Sequence, residues 1–261
     1  MIFNSIPVLM YHHVMPLESE LNVTPEVFEE QIRELKSKGW KTLTADDFLY
    51  LIENPDEKKK KCVLLTFDDG FVDNFLYAYP ILKKYKMKAL LFVATDFIED
   101  FEVKRDNFKP VNHKEIWRIA FSERKYEVMC TWNELREMQE EGVFDIQSHG
   151  HSHKIPDFIN QNYLYLIEKD MRTCKELIKK NLHKESLHFS WPKGVYTDET
   201  IEIAKEIGFK ALYTTQRGVN INDPFRIKRI AVKCKGSGWL EKKLIIYSSS
   251  IISKIYSKIR I

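Results

Sequence analysis

The stretch CVLLTFDDGFVDNFLYAYPILKKYKMKALLFVA, residues 62–94, holds two continuous apolar runs, CVLLTF at 62–67 and KALLFVA at 88–94, on either side of a segment of helical length that contains Pro80. Runs that are apolar without alternation suit strands buried on both faces, and two of them joined through a helix form a βαβ unit with parallel strands. Upstream, IPVLMYH at 6–12 reads as another buried strand. It is followed by a helix that Thr24 caps, Pro25 opens and Gly39 ends, with Phe28, Ile32 and Leu35 at helical spacing. ADDFLYLIE at 45–53 reads as a second helix, and the lysine run after it as a solvated connection. Downstream, WNELREMQEEG, VFDIQS, NYLYLIEKDMRTCKELIKKNL, LHFSW, TDETIEIAKEIG and FKALYT continue the alternation of helix and strand. The pattern predicts an α/β fold, a distorted and seven-stranded (β/α) barrel over residues 1–239. Residues 95–130 are expected to form an irregular insertion over one end, and residues 240–261 a basic amphipathic C-terminal helix.

The bulk composition fits a soluble globular protein: 261 residues, 44% hydrophobic and 30% charged. A net charge of +3, from 41 basic and 38 acidic residues, describes a mixed surface and not a nucleic-acid footprint. Cys62, Cys130, Cys174 and Cys234 form no C-x-x-C pair, which argues against a zinc knuckle or a disulfide framework. The opening MIFNSIPVLMYHHV has no basic segment, apolar core or small-residue cleavage site of a secretory signal, so a cytoplasmic location is expected. In the tail, Ile245, Ile252, Ile255 and Ile259 recur at near-helical spacing among lysines and arginines. That pattern suits a helix packed on the barrel, or a peripheral contact of residues 240–261 with the inner membrane face.

In a (β/α) barrel the C-terminal strand ends line the active site. Here those ends carry Tyr11, His12 and His13; Asp68, Asp69 and Gly70; His149, His151 and His153; and Trp191 with Pro192. Three histidines alternate in DIQSHGHSHK at 145–154, and crowded imidazoles suit metal binding. Residues four apart lie roughly 13 Å apart along a strand but about 6 Å apart on one face of a helical turn. His149 and His153, with Gly150 permitting the turn, are therefore the chelating pair, and His151 is expected to point elsewhere. A third, anionic ligand is available in TFDDG at 66–70, although an Asp-rich turn is the plainer use of D-D-G. Spacing does not distinguish Asp68 from Asp69.

TFDDG at 66–70 together with SHGHSH at 148–153 resembles the polysaccharide deacetylases with a NodB-homology domain, carbohydrate esterase family four. IPVLMYHHV, FSWPKGVYTDET and YTTQRGVNINDPFRIKRIAV are similar to the branch containing the poly-N-acetylglucosamine deacetylases, and the likeness spans about residues 6–232. The resemblance implies that Asp69, His149 and His153 bind a divalent metal, usually zinc, with cobalt, nickel and manganese as other candidates. It implies that Asp68 is the general base and that His12 of the YH pair protonates the leaving amine. Strand alternation sends the rival, His13, to the opposite side. The family's R-x-P-Y motif corresponds here to Ser190, Trp191, Pro192 and Lys193, so a backbone N–H at Lys193 after Pro192 would serve the oxyanion while the motif arginine is missing. Arg226 or Arg229 is expected to replace it beside Asp68, and Trp191 to wall a sugar pocket or to pack in the core.

The implied partner is an N-acetylated carbohydrate, in a glycan or a lipid-linked saccharide, hydrolysed to a free amine and acetate. Two other readings are weighed against this one. A metal-dependent phosphoesterase or amidohydrolase would carry its H-x-H near the first strand with more histidines downstream, whereas only His183 and His188 follow the cluster. A degenerate, glycan-binding barrel draws its support from the missing arginine.

Overall fold

Parallel strands curl into one sheet in the computed structural model, which describes residues 3–17, 19–57, 61–106 and 108–259. The strands are β1 (Val8–Tyr11), β2 (His13–Val14), β3 (Asn22–Val23), β4 (Lys41–Thr42), β5 (Cys62–Phe67), β6 (Ala89–Val93), β7 (Phe144–Ser148), β8 (His188–Ser190), β9 (Ala211–Tyr213) and β10 (Ile230–Ala231). Seven of them follow the order β10-β1-β5-β6-β7-β8-β9, with β4 paired to β5 and β2 paired to β3 in a separate small sheet. Every residue of β1 and β6 is buried, as expected of strands covered on both faces. One segment closes the curl: Ile227 bridges Tyr213 in parallel, and three residues later Ile230 pairs with Leu9. The seven-stranded distorted barrel read from the sequence is what forms.

Helices cover the sheet where their apolar stripes require it. In α1 (Pro25–Ser37) the Thr24 hydroxyl accepts the Val27 N–H, and Phe28, Ile32 and Leu35 are buried. Burying side chains of that size contributes about 1.5–3 kcal/mol each. Capping boxes start α2 (Ala45–Glu53) at Thr44, α5 (Trp132–Glu140) at Thr131 and α7 (Asp198–Ile207) at Thr197. The segment after β5 is a π-turn at Asn74–Ala78 running into α3 (Tyr79–Tyr85). Pro80 has no N–H for a regular turn, which accounts for the wider one before it. The long α6 (Tyr163–Leu182) follows the histidine cluster.

Two expectations need correction. Residues 95–130 are not irregular throughout, because Asn112, whose side chain accepts the Glu115 N–H, caps a helix, α4 (His113–Ala120). Residues 240–261 are not one helix. α8 (Ser237–Tyr247) begins three residues earlier, buries Leu240, Leu244 and Tyr247, and is separated from α9 (Ser250–Ile259) at Ser248 and Ser249. The break follows from tertiary bonds: Asn4 and Ser5 donate to the Ser248 carbonyl, and the Asn4 side chain accepts from the Ser250 N–H. Arg260 and Ile261, the end of that expected helix, lie outside the described residues. Among the described residues no helix is long and apolar enough to cross a membrane.

His188, in β8, is fully buried with Nδ1 2.8 Å from the Tyr213 hydroxyl. Burial pushes its pKa down to about 4, against the pull of Asp145. Its folded value lies below the unfolded value of about 6.5, so the neutral ring contributes stability that is present above pH 6.5 and is lost as pH falls toward 4. We predict that urea unfolding of the wild type loses on the order of 3 kcal/mol more than His188→Leu between pH 7 and pH 4; equal pH slopes would refute it.

Candidate active site

The turn after β5 places two carboxylates side by side. Asp69 and Gly70 both take left-handed backbone, at φ +79° and +85°. An added Cβ on Gly70 would meet Val93 Cγ1 at 3.1 Å, so the turn needs glycine there on two counts. Asp68 and Asp69 are buried, and each is neutralised by a different set of partners.

Asp68 faces Arg229. The guanidinium donates to both carboxylate oxygens at 2.7 Å. Its remaining N–H groups go to Thr66 Oγ1, Ser190 Oγ and the Thr214 carbonyl at 3.3, 2.9 and 2.9 Å, so all five donors have acceptors. Ser190, which the resemblance sets in the place of the motif arginine, has its hydroxyl bonded to the arginine that reaches Asp68 from the closing segment. Burial alone would raise the Asp68 pKa, but the charge of Arg229, then of His149, outweighs it and holds the carboxyl below its ordinary range. Arg226 does not share this place: it is exposed and pairs with Asp198 at 2.7 Å.

Asp69 faces the histidines. Its Oδ1 lies 3.3 Å from His149 Nε2 and 3.1 Å from His153 Nε2, and one ligand atom from each residue falls within 4.8 Å of the others. Donor atoms around a tetrahedral ion with bonds of about 2.0–2.1 Å are about 3.3 Å apart, so the spacing suits a small divalent cation. His149 Nδ1–H donates to the Ser190 carbonyl at 2.7 Å, which leaves Nε2 as the ligand atom. One carboxylate with two imidazoles is a donor set suited to zinc and neighbouring transition metals. Burial would raise Asp69 too, yet the hydrogen bonds of His149 and His153 keep it well below the usual carboxylate range. Burial would lower His149, and the charge of Asp68 with the bond to Asp69 raises it instead.

The histidine pair meets without the helical turn that its spacing suggested. Residues 149–153 form an irregular loop with left-handed Gly150 and His153, at φ +80° and +54°. Asp170 on α6 closes it by accepting the His151 and Ser152 N–H groups at 2.7 and 2.9 Å. A Cβ on Gly150 would lie 2.7 Å from that carboxylate, so only glycine fits. His151 points away from the triad, its Nδ1 3.0 Å from Thr95 Oγ1.

At the end of β1 the two histidines separate. His13 is 0% exposed and uses both ring nitrogens, on Asp73 at 3.1 Å and His113 at 2.9 Å. His12 is partly exposed, and Asn74 fixes its carbonyl at 3.0 Å. Burial lowers the His12 pKa, against the pull of Asp69 and Asp68. After β8, Pro192 is buried and Lys193 is exposed with left-handed backbone at φ +54°. Trp191 is 2% exposed and packed between Phe189 and Tyr196, the core packing that the sequence allows for it. Its indole N–H has no partner among the described residues, and the ring borders a cavity of about 460 Å³ that also reaches His151 and Pro192.

Four residues of this site escaped the sequence reading: Asp73, His113, Asp170, and Trp117, whose ring stacks on the His153 imidazole. For His113 and Trp117 a signal was present, since NHKEIW carries a capping asparagine ahead of two aromatic side chains four apart on one helix face. For Asp73 and Asp170, carboxylates within helical stretches, none was.

The family described as polysaccharide deacetylase matches residues 56–212. YxkH of Bacillus subtilis (strain 168) is 29% identical over 235 residues, which cover 89% of this chain and 73% of that protein. The poly-beta-1,6-N-acetyl-D-glucosamine N-deacetylase of Staphylococcus aureus (strain MRSA252) is 28% identical over 221 residues, covering 81% and 68%. The deacetylase PplD of Streptococcus pyogenes, solved in complex with acetate, superposes with a TM-score of 0.76 at 25% identity, over 92% of this chain and 98% of that one.

Removing one partner of a buried ion pair leaves an uncompensated charge, at a cost of about 3–5 kcal/mol. Arg229→Met is therefore expected to destabilise the fold by that amount, and Arg229→Met with Asp68→Asn by less than the sum of the two single changes. Denaturant unfolding of all three variants measures it, and simple additivity would mean that the pair is not coupled.

Proposed function

The chain belongs to the polysaccharide deacetylase family, and on that premise we propose that it hydrolyses the acetamido group of an N-acetylated sugar in a glycan or lipid-linked saccharide, with the help of a divalent metal ion. As a family member it is a hydrolase of carbon–nitrogen bonds. The observation that carries the finer reading is the division of labour between adjacent carboxylates: Asp69 shares its oxygen with two imidazoles, while Asp68 is clamped by Arg229. The named activity of the Staphylococcus aureus relative favours a β-1,6-linked N-acetylglucosamine polymer or oligomer as substrate.

Asp69, His149 and His153 would hold the ion, which supplies Lewis acidity toward water and the acetyl carbonyl. Asp68 is the general base, taking a proton from the attacking water. Arg229 keeps that carboxylate ionised and fixes its plane, since both oxygens are bound by one rigid fork. The backbone N–H of Lys193 would serve the developing oxyanion. His12 delivers a proton to the departing nitrogen, so that acetate and a free amine leave. His13 cannot take this part, because neither of its nitrogens is free. The missing arginine no longer favours a degenerate binding barrel, since Arg229 occupies the position beside Asp68.

The experiment is to incubate the protein with β-1,6-linked N-acetylglucosamine oligomers and to measure acetate and free amine together. We expect release that a chelator abolishes and zinc, cobalt, nickel or manganese restores. Asp68→Asn and His12→Gln should each lower it roughly 10²- to 10⁴-fold, and Arg226→Ala should leave it near the wild-type level. Activity retained in Asp68→Asn would remove the base assignment. Absence of acetate with all four metals, or release of phosphate from a phosphate ester instead, would overturn the reading.

A further inference from the structure

The two imidazoles of the triad are held in different ways. His149 has its ring plane set by the bond from Nδ1–H to the Ser190 carbonyl. For His153, whose Nε2 lies against Asp69, no hydrogen bond among the described residues fixes the second ring nitrogen. It has instead an aromatic plate: the Trp117 ring lies flat against the imidazole, with centroids 4.5 Å apart and planes 14° apart.

Trp117 is itself tied down by hydrogen bonds that run in one direction. An indole N–H can only donate, so the contact from Trp117 Nε1 to His113 Nε2 at 3.2 Å makes that nitrogen an acceptor. His113 then carries its proton on Nδ1 and donates to His13 Nε2 at 2.9 Å. His13 must carry its own proton on Nδ1, which faces Asp73 Oδ1 at 3.1 Å. Asp73 ends the chain, its Oδ2 accepting the Val14 N–H at 2.7 Å and the Asn74 side chain at 3.2 Å. Four side chains thus run in a single donor direction from the indole to a buried carboxylate, and each ring is held in one tautomer and one orientation.

We propose that Trp117 is a positioning residue for His153, replacing by stacking the hydrogen bond that orients His149, and that the His113–His13–Asp73 chain locks the indole in place. The inference rests on the reading of Asp69, His149 and His153 as a metal site. His153 needs such support because it sits at φ +54°, a left-handed backbone that a residue with a side chain holds only where its surroundings impose it. Trp117 also touches Phe97 and Phe121, so a packing role has to be separated from a positioning one.

The test uses the full chain and two probes, zinc affinity by competition with a chromophoric chelator and the visible spectrum of the cobalt(II)-loaded protein. Trp117→Leu, which removes the plate, should weaken zinc binding roughly 10- to 100-fold, the range typical for loss of a group that orients a ligand, and should alter the cobalt spectrum. Trp117→Phe keeps a flat ring but has no N–H for His113, so it should bind zinc more tightly than Trp117→Leu and about as well as His113→Leu. His113→Leu should weaken binding in the wild-type background and add nothing in the Trp117→Leu background, because it acts through the indole. If folded Trp117→Leu binds zinc as the wild type does, with lowered thermal stability only, the residue merely packs and the proposal falls. If Phe behaves like Leu, or the His113 effect is additive, the chain has another purpose and the proposal also falls. Should Trp117→Leu fail to fold, His113→Leu decides alone: zinc affinity and a cobalt spectrum equal to those of the wild type would overturn the proposal. A wild type that binds neither zinc nor cobalt would instead overturn the metal site itself.

Discussion

Asp68 and Asp69 are consecutive residues at the end of β5, only 2% and 3% exposed, where bare negative charges would be costly singly and more so together. Their neighbourhood is arranged to neutralise each with a separate cationic or donor partner. Arg229 comes from the segment that closes the sheet, so barrel closure itself brings the countercharge to Asp68. His149 comes from the end of β7 and His153 from the loop beyond it, both directed at Asp69. A pair made chemically unequal in this way suits the base-assisted hydrolysis beside a cation proposed above, with one carboxylate held ionised by a guanidinium and the other shared by two imidazoles.

Much of this was legible beforehand, and the reasons are local. Apolar runs without alternation identify buried parallel strands, and TFDDG and SHGHSH fall at strand ends, where a barrel gathers its reactive groups. What stayed hidden depends on contacts between distant parts of the chain. Spacing suggested a helical turn for His149 and His153, while the loop that forms is dictated by Asp170 on the following helix. The tail reads as one helix because its isoleucines keep their spacing, and it breaks because Asn4 and Ser5, more than two hundred residues earlier, bond its backbone at Ser248 and Ser250. A guanidinium for Asp68 is expected from either Arg226 or Arg229, and the segment that pairs with Tyr213 and then with Leu9 buries Arg229 and leaves Arg226 exposed.

The insertion between β6 and α5 turns out to belong to the site. Its two ends hold the two site turns: Thr95 and Asp96 donate backbone bonds to the Gly150 and His151 carbonyls, and Cys130 donates to the Gly70 carbonyl. Asp69 and His153 both keep left-handed backbone without being glycine, a conformation that costs on the order of 1–3 kcal/mol where it is not enforced. The barrel strands alone do not enforce it, because both residues lie past the ends of their strands. The enforcing contacts come from the insertion and from Asp170, with α4 adding the indole against His153. The strands therefore set where the reactive groups start, and the insertion sets the angles at which they meet, which explains why a segment with no strand pattern of its own carries the indole stacked on His153.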